Sequence, residues 1–518
     1  MKQLSLLLVV LAFVTKVNAA EISISASNIK VAKATKTTLS KSIVNQNIAG
    51  FSTITVEDLE NDKNIGAPAL PVKSLLLQGT PEQIQVAVSV KSEQVLANVK
   101  PIPTQEEDCR CATQKIRSFQ YNANLYKSQA PYTLTYLGAF RGTPITRLDV
   151  NVASYDATKN QVAVKTQMNV QFNVPEYSFQ AGDYKDYLIV TTQNLKSGVD
   201  QFVTWKKSQG YNVNVEEVSA PTIASISALV KKHYAAGADF AIFIGDEKQI
   251  PMHKVDTDGS SQTPTDIKYF TLDGANDYIP DMFYSRIVAS SAAQVATELN
   301  KSSEFEQKSA QDLTGLKKII GIASNEGSGP SDEQYVRSIE KNFASVLGTT
   351  STHFNQDDSS SNPTELNEAF NGGAFWLTYL GHGSGTDWAS MAKWYNVSDV
   401  QRMKNASSVK PIVIDVACMN GVIESGYLGS TLMAGFENSD AAGVAAYYGG
   451  TVNISWHPPA VMAQGIASEH LSKKFKHLGE ALFAGQLYLA AKWNNKEQVI
   501  DNFEWYHLQG DPGMNIEF

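Results

Sequence analysis

From residue 187 onward, short apolar runs alternate with amphipathic segments, and this alternation constrains the fold more than any other feature of the chain. Apolar strands that alternate with helices form mainly parallel sheets that helices cover on both faces. In such sheets the functional residues gather at the carboxyl ends of the strands. The runs include YLIV at 187–190, FAIFI at 240–244, KIIGIA at 318–323, WLTYL at 376–380 and IVIDV at 412–416.

The preceding part of the chain has a different texture, rich in Val, Thr, Ser and Ala in short alternating bursts such as QIQVAVSV at 83–90. Alternation of period two with β-branched residues indicates antiparallel strands, here in a sandwich-like arrangement. We therefore predict four segments. They are a signal peptide at 1–19, a β-rich N-terminal region at 20–185, and two subdomains of an α/β/α unit at 186–314 and 315–518.

The first twenty residues, MKQLSLLLVVLAFVTKVNAA, combine one early lysine, an apolar run from Leu4 to Val14 and a small-residue exit. This pattern is typical of a secretory signal, and the run is too short for a permanent membrane span. No later window has a membrane-length apolar run. We expect an exported protein without a membrane-spanning helix.

The formal net charge of −9 gives the chain no general attraction for phosphates. We find no long basic run and no mixed aromatic and basic RNA-binding pattern. Nucleic acid is therefore not an expected partner.

A histidine and a cysteine each follow an apolar run directly. His382 lies in LGHGSG after the run at 376–380, and Cys418 lies in IDVACMNG after the run at 412–416. If these strands are neighbours, the two side chains emerge at the same sheet edge, as a Cys-His nucleophilic pair requires. The backbone N–H groups of Gly383 and Cys418 would then form an oxyanion hole.

Three further residues are candidates for this site. Glu326 follows the run at 318–323, where a carboxylate would orient the imidazole, although a loop glutamate is an equal alternative. Asp332 starts a helix, and it is either a first-turn carboxylate or a carboxylate that binds a cationic substrate side chain. Trp456 follows the last apolar run and either packs or walls a pocket.

Metal-binding patterns are weak. The chain has neither HExxH nor CxxC, so zinc has little support, and we expect no organic cofactor. Four carboxylates cluster around a glycine-containing turn without EF-hand spacing, and they either bind calcium or solvate a loop. They are Asp266, Asp273, Asp277 and Asp281.

Together, LTYLGHGSGTDW and IDVACMNG resemble the gingipain family of secreted cysteine peptidases, within the larger caspase-like group. FIGDEKQIP, NDYIPDMFYSRI, NISW and the terminal QGDPGMNIEF are similar to family segments in the same order, and GAPALPVKSLLLQGTPEQ resembles its β-rich propeptide. The resemblance implies a caspase-like catalytic unit in two subdomains, with calcium as a stabilising ion. It also implies an inhibitory propeptide that is removed on maturation.

The resemblance further implies residue roles. Cys418 would be the nucleophile, His382 its acid-base partner and Glu326 the third catalytic residue. Asp332 matches, after a shorter loop, the specificity aspartate of arginine-specific members, and Trp456 matches a pocket tryptophan. We expect hydrolysis of peptides and proteins after Arg or Lys through an acyl-thioester. An inactive binding or adhesion module and a peptide ligase are the alternatives.

Two features of the N-terminal region stay open at this stage. Between Leu148 and Val190 the basic residues are Lys159, Lys165 and Lys185, so either lysine is accepted at a maturation cut or another protease makes it. In EEDCRCATQ, Cys109 and Cys111 bond to each other, pair between molecules or stay free. Arg110 between them is a candidate inhibitory mimic of substrate.

Overall fold

The computed structural model describes residues 20–34, 48–111, 119–122, 130–257, 261–309, 315–327, 329–435 and 442–517. The predicted signal peptide at residues 1–19 lies outside these ranges. Within them, no helix combines the length and the apolar character needed to cross a membrane.

The N-terminal region is built from antiparallel strands. One sheet has the order β1-β10-β6 with β9 also paired to β10, another has the order β4-β5-β8-β7, and β2 pairs with β3. The strands are β1 (Ala20–Ser25), β2 (Lys30–Lys33), β3 (Ser52–Thr55), β4 (Glu60–Asn61), β5 (Pro71–Gln78), β6 (Val86–Ala97), β7 (Tyr132–Phe140), β8 (Thr143–Asn151), β9 (Ala153–Asp156) and β10 (Gln161–Phe172).

The two larger N-terminal sheets share one apolar core. Leu77 of β5 and Val150 of β8 belong to the same buried cluster as Val164 and Phe172 of β10. Along β10 buried residues alternate with more exposed ones over much of the strand. This alternation buries one face of each sheet against the other.

The first α/β unit contains a four-stranded parallel sheet of order β12-β11-β13-β16 and a separate antiparallel pair, β14 and β15. Its elements are β11 (Asp186–Thr192), α1 (Asp200–Ser208), β12 (Asn212–Val218), α2 (Ile223–Ala235), β13 (Phe240–Ile244), β14 (His253–Thr257), β15 (Ser261–Thr265), β16 (Phe283–Ile287) and α3 (Ala292–Ser309).

The second α/β unit contains a six-stranded sheet of order β18-β17-β19-β22-β23-β24, parallel except for its last strand. Its elements are β17 (Lys318–Ala323), α4 (Asp332–Leu347), β18 (Thr350–Asn355), α5 (Pro363–Asn371), β19 (Trp376–Leu380), β20 (Asp387–Trp388), β21 (Tyr395–Asn396), α6 (Val397–Val400), β22 (Ile412–Val416), α7 (Leu428–Ala434), β23 (Ala446–Gly450), α8 (His457–Lys473), α9 (Leu478–Lys492), α10 (Lys496–Trp505) and β24 (Tyr506–Gln509).

Burial on both faces explains the uniformly apolar character of the central strands. Every residue of β13, β19, β22 and β23 is buried. Helix α4 instead has one apolar face, on which Val336, Ile339 and Phe343 are buried. Its start is fixed by a capping box in which the Ser331 side chain accepts from the Gln334 backbone and the Gln334 side chain accepts from the Ser331 backbone.

The sheet register brings three strand ends to the same edge. Leu380, the last residue of β19, is level with Ala323 of β17 on one side and with Val416 of β22 on the other. The loops that follow these strands therefore leave the sheet side by side. The predicted adjacency of the strands before His382 and Cys418 is confirmed.

The N-terminal region packs directly against the α/β units. Phe140 at the end of β7 contacts Phe483 of α9 with ring centroids 4.7 Å apart. Buried Arg147 of β8 donates to the carbonyl oxygens of Trp493 at 3.0 Å and Asn494 at 2.6 Å. The interface thus combines aromatic packing with hydrogen bonds from a buried guanidinium.

Candidate active site

His382 lies immediately beyond β19 and faces a carboxylate from the neighbouring strand. Its Nε2 is 3.2 Å from Oε1 of Glu326, which follows β17. The hydrogen bond to Glu326 is the main cause that raises the pKa of His382, and burial opposes it. The backbone is fixed as well, because His382 N donates to Ser390 Oγ at 2.9 Å and Tyr379 Oη donates to the His382 carbonyl at 2.6 Å.

Cys418 follows β22 and carries a free thiol that is buried. Burial raises the pKa of this thiol to about 11. The backbone of Ile454 hydrogen-bonds the sulfur, and the guanidinium of Arg110 lies within electrostatic reach; both oppose the rise. The thiol is therefore protonated at neutral pH in this form of the chain.

Gly383 lies tightly against the end of the Cys418 strand. A Cβ at this position would lie 2.7 Å from the Cys418 carbonyl oxygen and 2.8 Å from Nδ2 of Asn420. Only glycine allows this approach. The structure thus brings the backbone of both predicted oxyanion residues, Gly383 and Cys418, to one place.

Two polar residues that the sequence analysis missed hold these loops together. Asn420 donates to the Asp387 carbonyl at 2.9 Å and accepts from Gly385 N at 3.0 Å. Asp415, buried in β22, accepts from Trp388 Nε1 at 2.8 Å and from Asn420 Nδ2 at 3.2 Å. Burial raises the pKa of Asp415 to about 6. An aspartate inside the apolar run IVIDV was the sequence signal for this buried network.

Asp332 lies at the start of α4, and its carboxylate binds a guanidinium from the N-terminal region. Arg110 Nη1 is 2.8 Å from Oδ2 of Asp332, and Nη2 is 2.7 Å from Oδ1. Both side chains are completely buried. Ser324 Oγ donates to Oδ2 of Asp332 at 2.6 Å and fixes the carboxylate from the end of β17. Ser324 was also missed by the sequence analysis.

Trp456 forms another wall around the same guanidinium. Its ring centroid lies 4.6 Å from Cζ of Arg110, a cation–π contact. Its carbonyl oxygen accepts from Arg110 Nε at 3.1 Å and from Nη2 at 2.7 Å. Trp456 therefore contributes both an aromatic face and a hydrogen-bond acceptor to the pocket.

The backbone of Arg110 runs beside the site in an extended pairing. Arg110 N donates to the Ile454 carbonyl at 2.9 Å, and Cys109 forms an antiparallel bridge with Ser455. The Arg110 carbonyl oxygen is hydrogen-bonded to Nδ1 of His382. One residue of the N-terminal region thus fills the pocket with its side chain and contacts the imidazole with its carbonyl.

The two cysteines that flank Arg110 are joined. Cys109 and Cys111 form a disulfide with Cα atoms 5.0 Å apart. The Cys111 backbone N–H also lies 3.0 Å from Sγ of Cys109. Of the three states that the sequence left open, the structure has the bond within the Cys-Arg-Cys segment.

The acidic residues predicted as calcium ligands separate into two groups. Asp273, Asp277 and Asp281 each offer an oxygen within 4.8 Å of the others. Asp266 is instead paired with Arg286, whose Nε and Nη2 each lie 2.7 Å from one of its oxygens. Its inclusion with the other three is corrected, because a guanidinium occupies both of its carboxylate oxygens.

Comparison with known proteins shows the family of this chain. The model of peptidase family C25 matches residues 180–517. Gingipain R2 of Porphyromonas gingivalis is 25% identical over 348 residues, which cover 64% of this chain and 45% of the relative. A Lys-gingipain of the same organism is 24% identical over 408 residues, covering 65% of this chain and 22% of the relative. The chain therefore spans less than half the length of these curated relatives.

Solved structures show the same fold. The crystal structure of the Arg-specific cysteine proteinase gingipain R superimposes with a TM-score of 0.59 at 22% identity, covering 65% of this chain and 80% of the other. The complex of the pro- and mature domains of the same organism's RgpB gives a TM-score of 0.58 at 23% identity, covering 64% and 79%. Both agree with the caspase-like catalytic fold that the sequence resemblance implied. With the family model covering most of the chain, including Glu326, His382 and Cys418, this protein belongs to peptidase family C25.

Proposed function

We propose that this protein is a secreted cysteine endopeptidase that cleaves after arginine and is made as a zymogen, with residues 20–185 as its inhibitory propeptide. The observation that carries the proposal is the position of Arg110. Its guanidinium is paired with Asp332, and its carbonyl contacts His382. An arginine so placed is bound as the residue preceding a scissile bond would be.

The pocket favours arginine over lysine. Four hydrogen bonds leave the guanidinium, two to the carboxylate of Asp332 and two to the carbonyl of Trp456. A planar fork satisfies both acceptors together, whereas an ammonium group donates from a single point. The relatives include both Arg- and Lys-gingipains, so the preference rests on this geometry.

The catalytic roles follow from the strand ends. Cys418 Sγ attacks the carbonyl carbon of the arginine residue, and the tetrahedral oxyanion is bound by the N–H groups of Gly383 and Cys418. His382 then protonates the departing amine, and Glu326 keeps the imidazole oriented and cationic. Water hydrolyses the acyl-thioester and restores the thiol.

Latency has two physical sources in this arrangement. Arg110 occupies the specificity pocket, and burial of Cys418 leaves about one thiol in 10⁴ ionised at pH 7. Removal of the propeptide exposes the sulfur and empties the pocket at the same time. The solved pro- and mature-domain complex of RgpB provides a structural precedent for such a partnership.

Export and calcium complete the proposal. The N-terminal signal pattern supports secretion. The Asp273, Asp277 and Asp281 oxygens fit a hard cation, and burial raises the pKa of Asp281 to about 7. Calcium would favour the ionised carboxylates and stabilise this loop. Adding calcium to chelator-treated protein is expected to raise the Tm by a few degrees in wild type and not in Asp281→Asn; equal shifts would contradict the site.

The decisive experiment uses matured enzyme with fluorogenic peptides that differ only in the residue before the cut. We expect arginyl peptides to be hydrolysed faster than lysyl peptides and alanyl peptides hardly at all. Cys418→Ala should abolish turnover. Retained hydrolysis in this variant would refute the nucleophile, and inactivity of the wild type would favour the binding-module alternative. Adding an amine acceptor and analysing the products distinguishes ligation from hydrolysis.

A further inference from the structure

The Cys109–Cys111 disulfide spans the peptide bond that the site presents to Cys418. With the Arg110 side chain in the pocket and its carbonyl at His382, the bond that follows Arg110 is Arg110–Cys111. Cys109 precedes this bond and Cys111 follows it, and their sulfurs are joined. The two sides of the presented bond are therefore linked by a second covalent path.

Ile454 places this bond beside the nucleophile. The backbone of Ile454 hydrogen-bonds the Cys418 sulfur, while its carbonyl accepts from Arg110 N at 2.9 Å. One residue thus holds both the attacking atom and the segment that carries the carbonyl. The arrangement is that of a bound substrate, on a segment of the same chain.

The second path changes the outcome of attack. When Cys418 Sγ bonds to the Arg110 carbonyl carbon, the Arg110–Cys111 C–N bond breaks and the Cys111 nitrogen leaves as an amine with a proton from His382. In an ordinary substrate this amine diffuses away. Here the disulfide keeps Cys111 attached to Cys109, and the nitrogen starts only 3.0 Å from the Cys109 sulfur.

A tethered amine competes strongly with water. Well-oriented intramolecular nucleophiles reach effective molarities of about 10⁵ to 10⁸ M, far above the concentration of water. The amine therefore returns to the thioester carbon, the peptide bond re-forms, and the Cys418 thiol is released. Opening without hydrolysis leaves the inhibitory segment intact and in place.

We propose that Arg110–Cys111 is a self-acylation site whose cleavage is gated by the Cys109–Cys111 disulfide, and that reduction by a thiol converts this segment from inhibitor to substrate. A dithiol transfers two electrons and two protons to the disulfide, giving two cysteine thiols and an oxidised dithiol. The Cys111 amine then departs, and water hydrolyses the acyl-thioester. The products end at Arg110 and begin at Cys111. This inference rests on the proposed function of the same site.

The test uses the full chain, purified without thiols and then incubated with or without dithiothreitol. Intact mass and peptide mapping follow cleavage after Arg110, and an arginyl fluorogenic peptide follows activity. We expect cleavage and activation at least about 100-fold slower in the oxidised chain. Cys418→Ala should remain uncut in both conditions.

The matched variant is Cys109→Ser/Cys111→Ser, which removes the tether and keeps Arg110. It should cut itself after Arg110 without dithiothreitol and should not respond to it, which separates the tether from any effect of the reductant on Cys418. Oxidised and reduced wild type that are cut at the same rate would overturn the inference, as would a double-serine variant that stays latent. The wild-type measurement decides the question if the double variant does not fold.

Arg110→Ala separates this inference from the proposed function. The full chain with this change should hydrolyse arginyl peptides at the same rate in both redox conditions. If it does so while wild type shows no redox dependence, the gate is refuted and the peptidase assignment stands. If neither chain hydrolyses arginyl peptides under any condition, the peptidase assignment itself fails.

Discussion

Two buried arginine–aspartate pairs have nearly the same chemistry and differ in what they join. Arg286 contacts both oxygens of Asp266 and lies 5.4 Å from the Phe243 ring centroid. Arg110 contacts both oxygens of Asp332 and lies 4.6 Å from the Trp456 ring centroid. The four charged side chains are completely buried.

The difference lies in connectivity. Arg286 and Asp266 are 20 residues apart in the first α/β unit, and Arg286 also donates to the carbonyls of Gly245 and Ile250. Arg110 and Asp332 are 222 residues apart and belong to separately packed regions. The first guanidinium cannot leave without unfolding, whereas the second can be replaced by an arginine of a substrate. Similar contacts therefore stabilise a fold in one place and bind a ligand in the other.

The largest expected effect separates the two carboxylates. In matured enzyme, Asp266→Asn should lower the free energy of unfolding by about 3–5 kcal/mol, because Arg286 is left buried without its counter-charge. Asp332→Asn should change stability little and lower kcat/KM for arginyl peptides about 10²- to 10⁴-fold. Urea denaturation and steady-state kinetics measure both. Equal effects on stability would remove the distinction between the pairs.

The next prediction concerns the removable guanidinium. In the full chain, Arg110→Ala should raise the initial rate on arginyl peptides at least about 100-fold, since the pocket loses its occupant. Arg110→Lys should activate less, because the ammonium keeps the charge and loses the fork. Arg141→Ala is the matched control, since Arg141 pairs with Asp239 at 2.8 Å in the same interface between regions. Activation by this control equal to that of Arg110→Ala would assign latency to docking in general.

The contrast also shows what sequence can reveal. The strand ends that carry His382 and Cys418 were predictable because short apolar runs specify buried parallel strands, and residues after such strands share an edge. The structure confirms this register, with β19 beside β22. Local patterns sufficed where the chemistry follows directly from a strand.

Partners distant in sequence could not be predicted in this way. The spacing of Asp266, Asp273, Asp277 and Asp281 suggested one cluster, but a 3₁₀ turn at Ile267–Tyr269 follows Asp266, which pairs with Arg286. Charge and setting made Arg110 a candidate mimic, yet its pairing with Asp332 depends on how two regions dock. Ser324 and Asn420 act through tertiary hydrogen bonds for which no local pattern exists.

A third prediction concerns the thiol that the Arg110 segment covers. Since burial raises the pKa of Cys418 to about 11 in the full chain, its alkylation by iodoacetamide should accelerate about tenfold per pH unit from pH 7 to 10. The folded-state pKa lies above the unfolded one, so the stability contribution of the neutral thiol is complete below about pH 9 and is lost as the pH rises towards 11. Intact mass should show one adduct. A rate plateau below pH 8 would contradict this protonation state.

The smallest expected effect lies at the carboxylate that holds His382, beside the point where Arg110 contacts the imidazole. Because the hydrogen bond from Glu326 raises the pKa of His382, Glu326→Gln should lower it, so the imidazolium that protonates the leaving amine deprotonates at a lower pH. In matured enzyme the alkaline limb of the kcat/KM profile should move down, with about a tenfold loss at the optimum. Glu333→Gln on the exposed side of α4 is the matched control and should leave the profile in place. An unchanged alkaline limb in Glu326→Gln would reduce Glu326 to a loop residue, and the contrast between a removable ligand and a fixed ion pair would then rest on Asp332 alone.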